Sequence, residues 1–132
     1  MGYDIEVILM RQTASYLAMP VFVVDPKGNL VYFNEPAEEL LGLRYEEVGE
    51  MPAEEWATIF VPTDKNGDPM APEALPLMIA LQQHRPAHDR FHIRGLDGQK
   101  RELFVTAFPL IGQHARDLGA VAIFWEAQPG WR

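Results

Sequence analysis

The sequence predicts an α+β domain in which short helices lie over one face of a five-stranded antiparallel sheet. Three observations carry that expectation. The segments run in the order helix, two strands, several short helices, three strands. The first two strands and the last three are linked by turn-like connections, as hairpins require. The helices between these two strand groups must then roof one sheet face, and the space beneath a helical roof is a natural binding site.

Asp4 to Ala18 reads as a helix with two apolar stripes. Ile5, Ile8, Leu9, Gln12 and Tyr16 share one spacing, and Val7, Met10, Ala14 and Leu17 share another. Two stripes give this helix more to bury than one surface can take, and Pro20 marks its end. Val21 to Asp25 is a strand of β-branched and aromatic residues. The turn Asp25-Pro26-Lys27-Gly28-Asn29 follows, and Leu30 to Phe33 returns. Asn34 is a suitable N-cap for a helix over Glu35 to Leu41, with Pro36 in its first turn and Gly42 at its stop. Arg44 to Phe60 reads as short helical turns with Trp56, Ile59 and Phe60 on the buried side. Pro62 to Pro72 is a polar loop. Pro76 opens a helix through about His84, with Leu77, Met78 and Leu81 along one face, and Pro86 ends it. Strands follow at His88 to Arg94, Arg101 to Leu110 and Leu118 to Glu126, the first two joined by a turn at Leu96 to Gln99.

Composition narrows the chemistry. A chain of 132 residues with 48% apolar and 23% charged residues has the material for one core. With no cysteine there is no disulfide framework, thiolate metal site or cysteine nucleophile. A net charge of −8 repels phosphate backbones, so neither nucleic acid nor an anionic membrane is expected as a partner. The basic stretches, Arg85 to Arg94 and Lys100-Arg101, are interrupted by acidic and apolar residues and read as solvated surface. The longest apolar run near the N-terminus, Val7 to Met10, is too short to cross a bilayer or act as a signal, so a cytoplasmic location is expected. The chain divides into a flanking helix (1–19), a core (20–127) and a short tail (128–132).

Four stretches, taken together in their order and spacing, resemble the PAS family. They are the segment from Val21 to Asn34, then Ala37 to Gly42, then Gly95-Leu96-Asp97-Gly98 with the long strand ending Phe108-Pro109-Leu110, and finally Gly119 to Phe124. The resemblance covers roughly residues 20 to 126. It implies the sheet order 2-1-5-4-3, helices on one side, and an N-terminal flanking helix of the kind that mediates dimers. It also implies a role in signal transduction, either sensing through a bound ligand or acting as a protein-interaction module with a signalling partner.

Cofactor chemistry finds little purchase in the sequence. Flavin photochemistry of the light-oxygen-voltage type needs a cysteine, which leaves only non-covalent flavin. Haem would need an axial histidine, for which His84 is the candidate, although its place beside Pro86 fits a helix-end residue better. His84, His88 and His92 have four-residue spacing, but Pro86 interrupts the helix that would align them on a metal. The segment beginning at Asp64 has its glycine, Gly67, at the wrong position for a calcium loop. The acidic pairs Glu38-Glu39, Glu46-Glu47 and Glu54-Glu55 read as solvated helix faces. No nucleophile elbow or phosphate loop is present, and no catalysis is expected.

Strand alternation instead gives two apolar surfaces. Trp56, Leu77, Met78, Leu81, Phe91, Ile93, Leu103 and Val105 converge on a pocket that suits a small apolar ligand, fatty-acyl or aromatic, with a filled core as the alternative. On the opposite sheet face stand Phe104, Phe108, Val121, Ile123 and Trp125. A soluble monomer does not leave such a patch bare, so the N-terminal helix, with Ile8, Leu9 and Tyr16, is expected to cover it within the chain or across a homodimer.

Overall fold

The computed structural model describes residues 5–42, 44–52, 55–56, 62–94 and 100–126. Helix α1 (Ile5–Tyr16) precedes strands β1 (Val21–Val24) and β2 (Leu30–Phe33). Helices α2 (Glu35–Leu41), α3 (Tyr45–Val48) and α4 (Pro76–Gln83) follow, then β3 (Ala87–Arg94), β4 (Lys100–Ile111) and β5 (Asp117–Glu126). The five strands form one sheet in the spatial order β2-β1-β5-β4-β3, and every pairing is antiparallel. The sheet expected from the sequence is therefore present.

Local chemistry explains the boundaries. The Asp25 carboxylate accepts the Lys27 and Asn29 amides at 2.9 Å each, closing the β1–β2 turn. Asn34 caps α2 by accepting the Ala37 amide at 3.2 Å, and Gly42 ends that helix in the left-handed conformation at φ 76°. His84 ends α4 at φ 54°, just before Pro86. Gly119, at φ 119°, lies where β5 crosses close to β1. A Cβ there would come within 1.9 Å of the Val24 carbonyl oxygen, so only glycine fits.

The two sheet edges are finished differently. On β2, Leu30 exchanges two backbone hydrogen bonds with Met51, at 2.7 and 2.9 Å, and the Tyr45 hydroxyl donates to the Val31 carbonyl at 2.6 Å. On β3, His92 is paired outward, exchanging bonds with Thr63 at 2.8 and 2.9 Å.

Both faces of the sheet bury apolar side chains. Beneath α2, α3 and α4 lies the main core, including Phe22, Val24, Phe33, Leu40, Phe91, Leu103, Val105, Ala122 and Phe124. Behind the sheet, Val21, Val23, Val31 and Val121 form a second cluster with Met10 and Leu17 from the α1 segment, and Tyr32, Phe108 and Ile123 flank it. Each fully buried Val or Leu contributes about 1.5–3 kcal/mol, so both layers matter to stability.

Within the chain, two features of the back face bear on how it is covered. First, Val7 is buried, and Met10 and, just past α1, Leu17 pack on the valine cluster, whereas Ile8 and Leu9 are 40% and 52% exposed. The smaller stripe nests into the valine layer, so the bulkier Ile8–Leu9 side is turned outward. Second, Phe108 and Ile123 pack on the same valine cluster as Met10 and Leu17, and the far end of the patch has further neighbours of its own. There Phe104 and Trp125 stack on each other at 5.9 Å, the His88 ring lies 6.4 Å from Phe104, and the Arg90 guanidinium sits 5.3 Å from the Phe104 ring centre. The side chains of Tyr16 and Leu41 lie outside the described part of the structure, as do Ile59, Phe60 and the turn at Leu96 to Gln99.

One substitution tests the frame. Asn34 is 1% exposed, and its amide serves three segments: Oδ1 accepts from Val21 and Ala37, and Nδ2 donates to the Met19 carbonyl at 2.9 Å. Asn34→Ala orphans buried backbone groups and removes the helix cap. Urea denaturation is expected to show a loss of at least about 2 kcal/mol.

Candidate functional site

The space expected beneath the helices exists, but it is small. A cavity of about 60 Å³ lies between the sheet and the segment leading into α4. The sheet contributes Phe22, Phe91, Ile93, Leu103, Val105, Ala122 and Phe124, and the cover contributes Trp56, Pro62, Leu75, Pro76 and Leu77. Trp56 is held in the wall by its indole N–H, which donates to the Gly28 carbonyl at 2.9 Å. This bond ties the cavity wall to the β1–β2 turn.

Six of the eight pocket residues expected from the sequence line this cavity: Trp56, Leu77, Phe91, Ile93, Leu103 and Val105. Met78 and Leu81 do not. Leu81 is buried in solid core and Met78 packs on the core margin, because the void lies at the start of α4 while its later turns rest directly on the sheet. Phe22 and Phe124 complete the aromatic lining. Phe22 was hard to assign from sequence because all four β1 residues are buried, which removes the polar–apolar alternation that reveals a strand's inner face. Leu75, Pro76 and Pro62 carry no periodic signal at all.

Among the described residues, no titratable side chain lines the cavity, so these walls can hold apolar atoms but move no proton. Water needs two or more polar partners to remain in such a space, and the described lining exposes no polar surface. Ligand sites for drug-sized molecules span roughly 300–1,000 Å³, so a haem or a flavin ring system would have to displace the walls. His84, the sequence candidate for a haem ligand, is outside the lining. It caps α4 with its side chain 53% exposed, and Nε2 lies 3.3 Å from Asp117 Oδ2.

Two further histidines, His88 and His92, occupy the back of the sheet. His88 belongs to the Phe104–Trp125 stack. The Nε2 of His92 lies 3.8 Å from Glu102, and its Nδ1 is buried without a hydrogen-bond partner. Among the described residues, no three His, Asp or Glu side chains are grouped to hold a metal ion. Glu102 instead binds Arg90, with Nε donating at 2.6 Å. That hydrogen bond holds the Glu102 carboxyl below its ordinary pKa and raises that of Arg90. In the loop beginning at Asp64, the carboxylate accepts the amides of Asn66 and Asp68 at 2.9 and 3.0 Å, so it closes a turn.

A cavity roofed by short helices on a 2-1-5-4-3 sheet matches the arrangement that the sequence resemblance implied. Residues 18–126 match the PAS domain family. The chain belongs to the PAS family. No curated protein matches it in sequence. Solved structures share the fold at low identity. The PAS domain of a Colwellia psychrerythraea protein is 18% identical, with 94% of this chain and 98% of that one covered and a TM-score of 0.65. The PAS domain of nitrogen regulation protein NR(II) from Vibrio parahaemolyticus is 17% identical, with 90% and 98% covered and a TM-score of 0.63. The Rhodobacter sphaeroides LOV protein is 13% identical, with 96% and 70% covered and a TM-score of 0.72. Among the described residues of this PAS domain, no helix is long and apolar enough to cross a membrane.

Two measurements probe the site. Leu77→Ala enlarges an apolar void that water will not fill, so it is expected to cost about 2–5 kcal/mol and to create benzene uptake visible as NMR shifts at Phe124. Glu102→Gln removes a carboxylate whose folded pKa is depressed. The stabilisation from that group is present above the unfolded pKa and is lost as pH falls through the folded one. The variant's chemical stability should therefore fall less steeply than wild type over that acid range.

Proposed function

We propose that this PAS domain is a non-catalytic, cytoplasmic signalling module that works as a homodimer through α1. The observation that carries this reading is the outward stripe of that helix. Ile5, Ile8 and Leu9 are 64%, 40% and 52% exposed on a helix whose other stripe is already docked. Three large aliphatic side chains within five residues form a surface that a second α1 satisfies by symmetry, since each copy offers the same patch.

The input side of the module is the cavity on the opposite sheet face. β1 and β5 connect the two. Phe22, Ala122 and Phe124 line the cavity, while their neighbours Val21, Val23, Val121 and Ile123 form or flank the layer beneath α1. A small apolar ligand, or a partner that shifts the segment leading into α4, would move these strands and so tilt the dimer helices. The apolar lining supports a small apolar ligand, whereas the position of His84 gives haem sensing no support.

Light scattering of the intact chain should report a dimer. The double substitution Ile8→Glu and Leu9→Glu, placed on exposed positions, should give a folded monomer with unchanged circular dichroism. A wild-type monomer, or a double variant that remains dimeric, would refute the arrangement.

A further inference from the structure

The chain holds three asparagines in unlike surroundings. Asn34 is buried with both side-chain heteroatoms spent on the backbone, and Asn29 donates Nδ2 to Asp25 at 3.1 Å. Asn66 stands at the tip of the loop between Pro62 and Met70, where residues 65–69 are all exposed. Among the described residues its side-chain amide makes no hydrogen bond. It is also the one asparagine followed by glycine. Gly67 sits at φ 84°, and a Cβ built there would have no neighbour within 4 Å, so the space around it is open. The Asn66 amide carbon and the Gly67 nitrogen are thus a free electrophile beside an uncrowded nucleophile, in contact with water.

Local bonds close the tip. The Asp64 carboxylate accepts the Asn66 and Asp68 amides at 2.9 and 3.0 Å, and the Asp64 carbonyl accepts the Gly67 amide at 3.0 Å. An exposed turn bond of this kind opens at little cost, so it delays the Gly67 nitrogen without disarming it. The base of the loop is held separately. Thr63 pairs with His92, and the Met70 amide donates at 3.0 Å to the carbonyl of Pro62, a residue of the cavity lining.

We propose that Asn66 is a self-deamidation site of the folded protein, and that the isoaspartate formed there opens the 64–68 turn while the loop base stays on β3. The Gly67 nitrogen loses its proton to hydroxide and attacks Asn66 Cγ. A C–N bond forms, the Cγ–Nδ2 bond breaks, and Nδ2 leaves as ammonia with a proton from water. Water then opens the succinimide ring. Cleavage at Cγ leaves aspartate, and cleavage at the main-chain carbonyl leaves isoaspartate. Either product places a new carboxylate between Asp64 and Asp68 in a chain whose net charge is already −8. Isoaspartate also routes the main chain through Cβ, and the added methylene draws the Gly67 and Asp68 amides away from Asp64. The site is apart from α1 and from the cavity walls, so it stands or falls independently of dimerisation and of ligand binding.

The test incubates the intact chain in mildly alkaline buffer beside the free peptide of residues 62–70. Ammonia release is followed together with peptide mass spectrometry that tells aspartate from isoaspartate. The folded chain should react at Asn66 at a rate proportional to hydroxide and within about tenfold of the free peptide, because only a local opening precedes attack. Asn29 and Asn34 should remain intact. Amide NMR of the aged protein should show shifts at Gly67 and Asp68 with the Thr63–His92 pairing retained. Asp64→Ala, which removes an acceptor that closes the tip, should speed the reaction several-fold, and Asn66→Gln should abolish it with circular dichroism preserved. A folded chain slower than that window, earlier modification of Asn29 or Asn34, or an Asp64→Ala rate no faster than wild type would overturn the proposal. So would aged protein whose Gly67 and Asp68 amides are unshifted or whose Thr63–His92 pairing is lost.

Discussion

The buried amide of Asn34 joins the parts of this fold that contact burial alone would leave adjustable. One oxygen accepts from the first amide of β1 and from the first turn of α2, while the nitrogen holds the Met19 carbonyl on the approach from α1. A buried polar group is costly unless satisfied, so these bonds favour a single relative placement of helix, strand and helix. From that junction α1 runs behind the sheet and α2 runs in front of it. The separation of the two apolar layers begins at this residue.

The consequence is a sheet with no water-facing centre. β1 is buried at all four positions, and β5 nearly so along its middle. Strands of this kind transmit displacement well, since a close-packed layer on each face leaves little slack. Gly119 tightens the same region by bringing β5 against the Val24 carbonyl, closer than any side chain would permit. The cavity and the α1 surface are thus separated by one strand thickness, the short path on which the proposed relay depends.

The back of the sheet shows how one apolar face can be divided between two kinds of cover. Near β1 and β2 the valines are covered by α1. Near β3 and β4 the aromatic pair Phe104 and Trp125 is partly shielded by His88 and Arg90, with Glu102 fixing the guanidinium. A charged side chain laid over a ring satisfies the ring face and remains hydrated itself. This explains why residues that look like ordinary solvated charge in sequence contribute to packing in the fold.

The sequence by itself determined the strands and most helix limits, because their signals are local. Asn34 and Gly42 delimit α2, Pro76 opens α4, and the alternation from Leu103 to Ala107 identifies the inner face of β4. The family pattern supplied the strand order, which local signals alone leave open. The tertiary structure decided which stripe of α1 docks and where the void lies. Both stripes satisfy the same helical period, and tertiary packing buries Val7 and sets Met10 and Leu17 on the valine layer in place of Ile8 and Leu9. Cavity position depends on how far each turn of α4 sinks toward the sheet. That depth is set by packing between segments distant in sequence, so Leu77 reaches the void while Leu81, one turn later, fills its place with core.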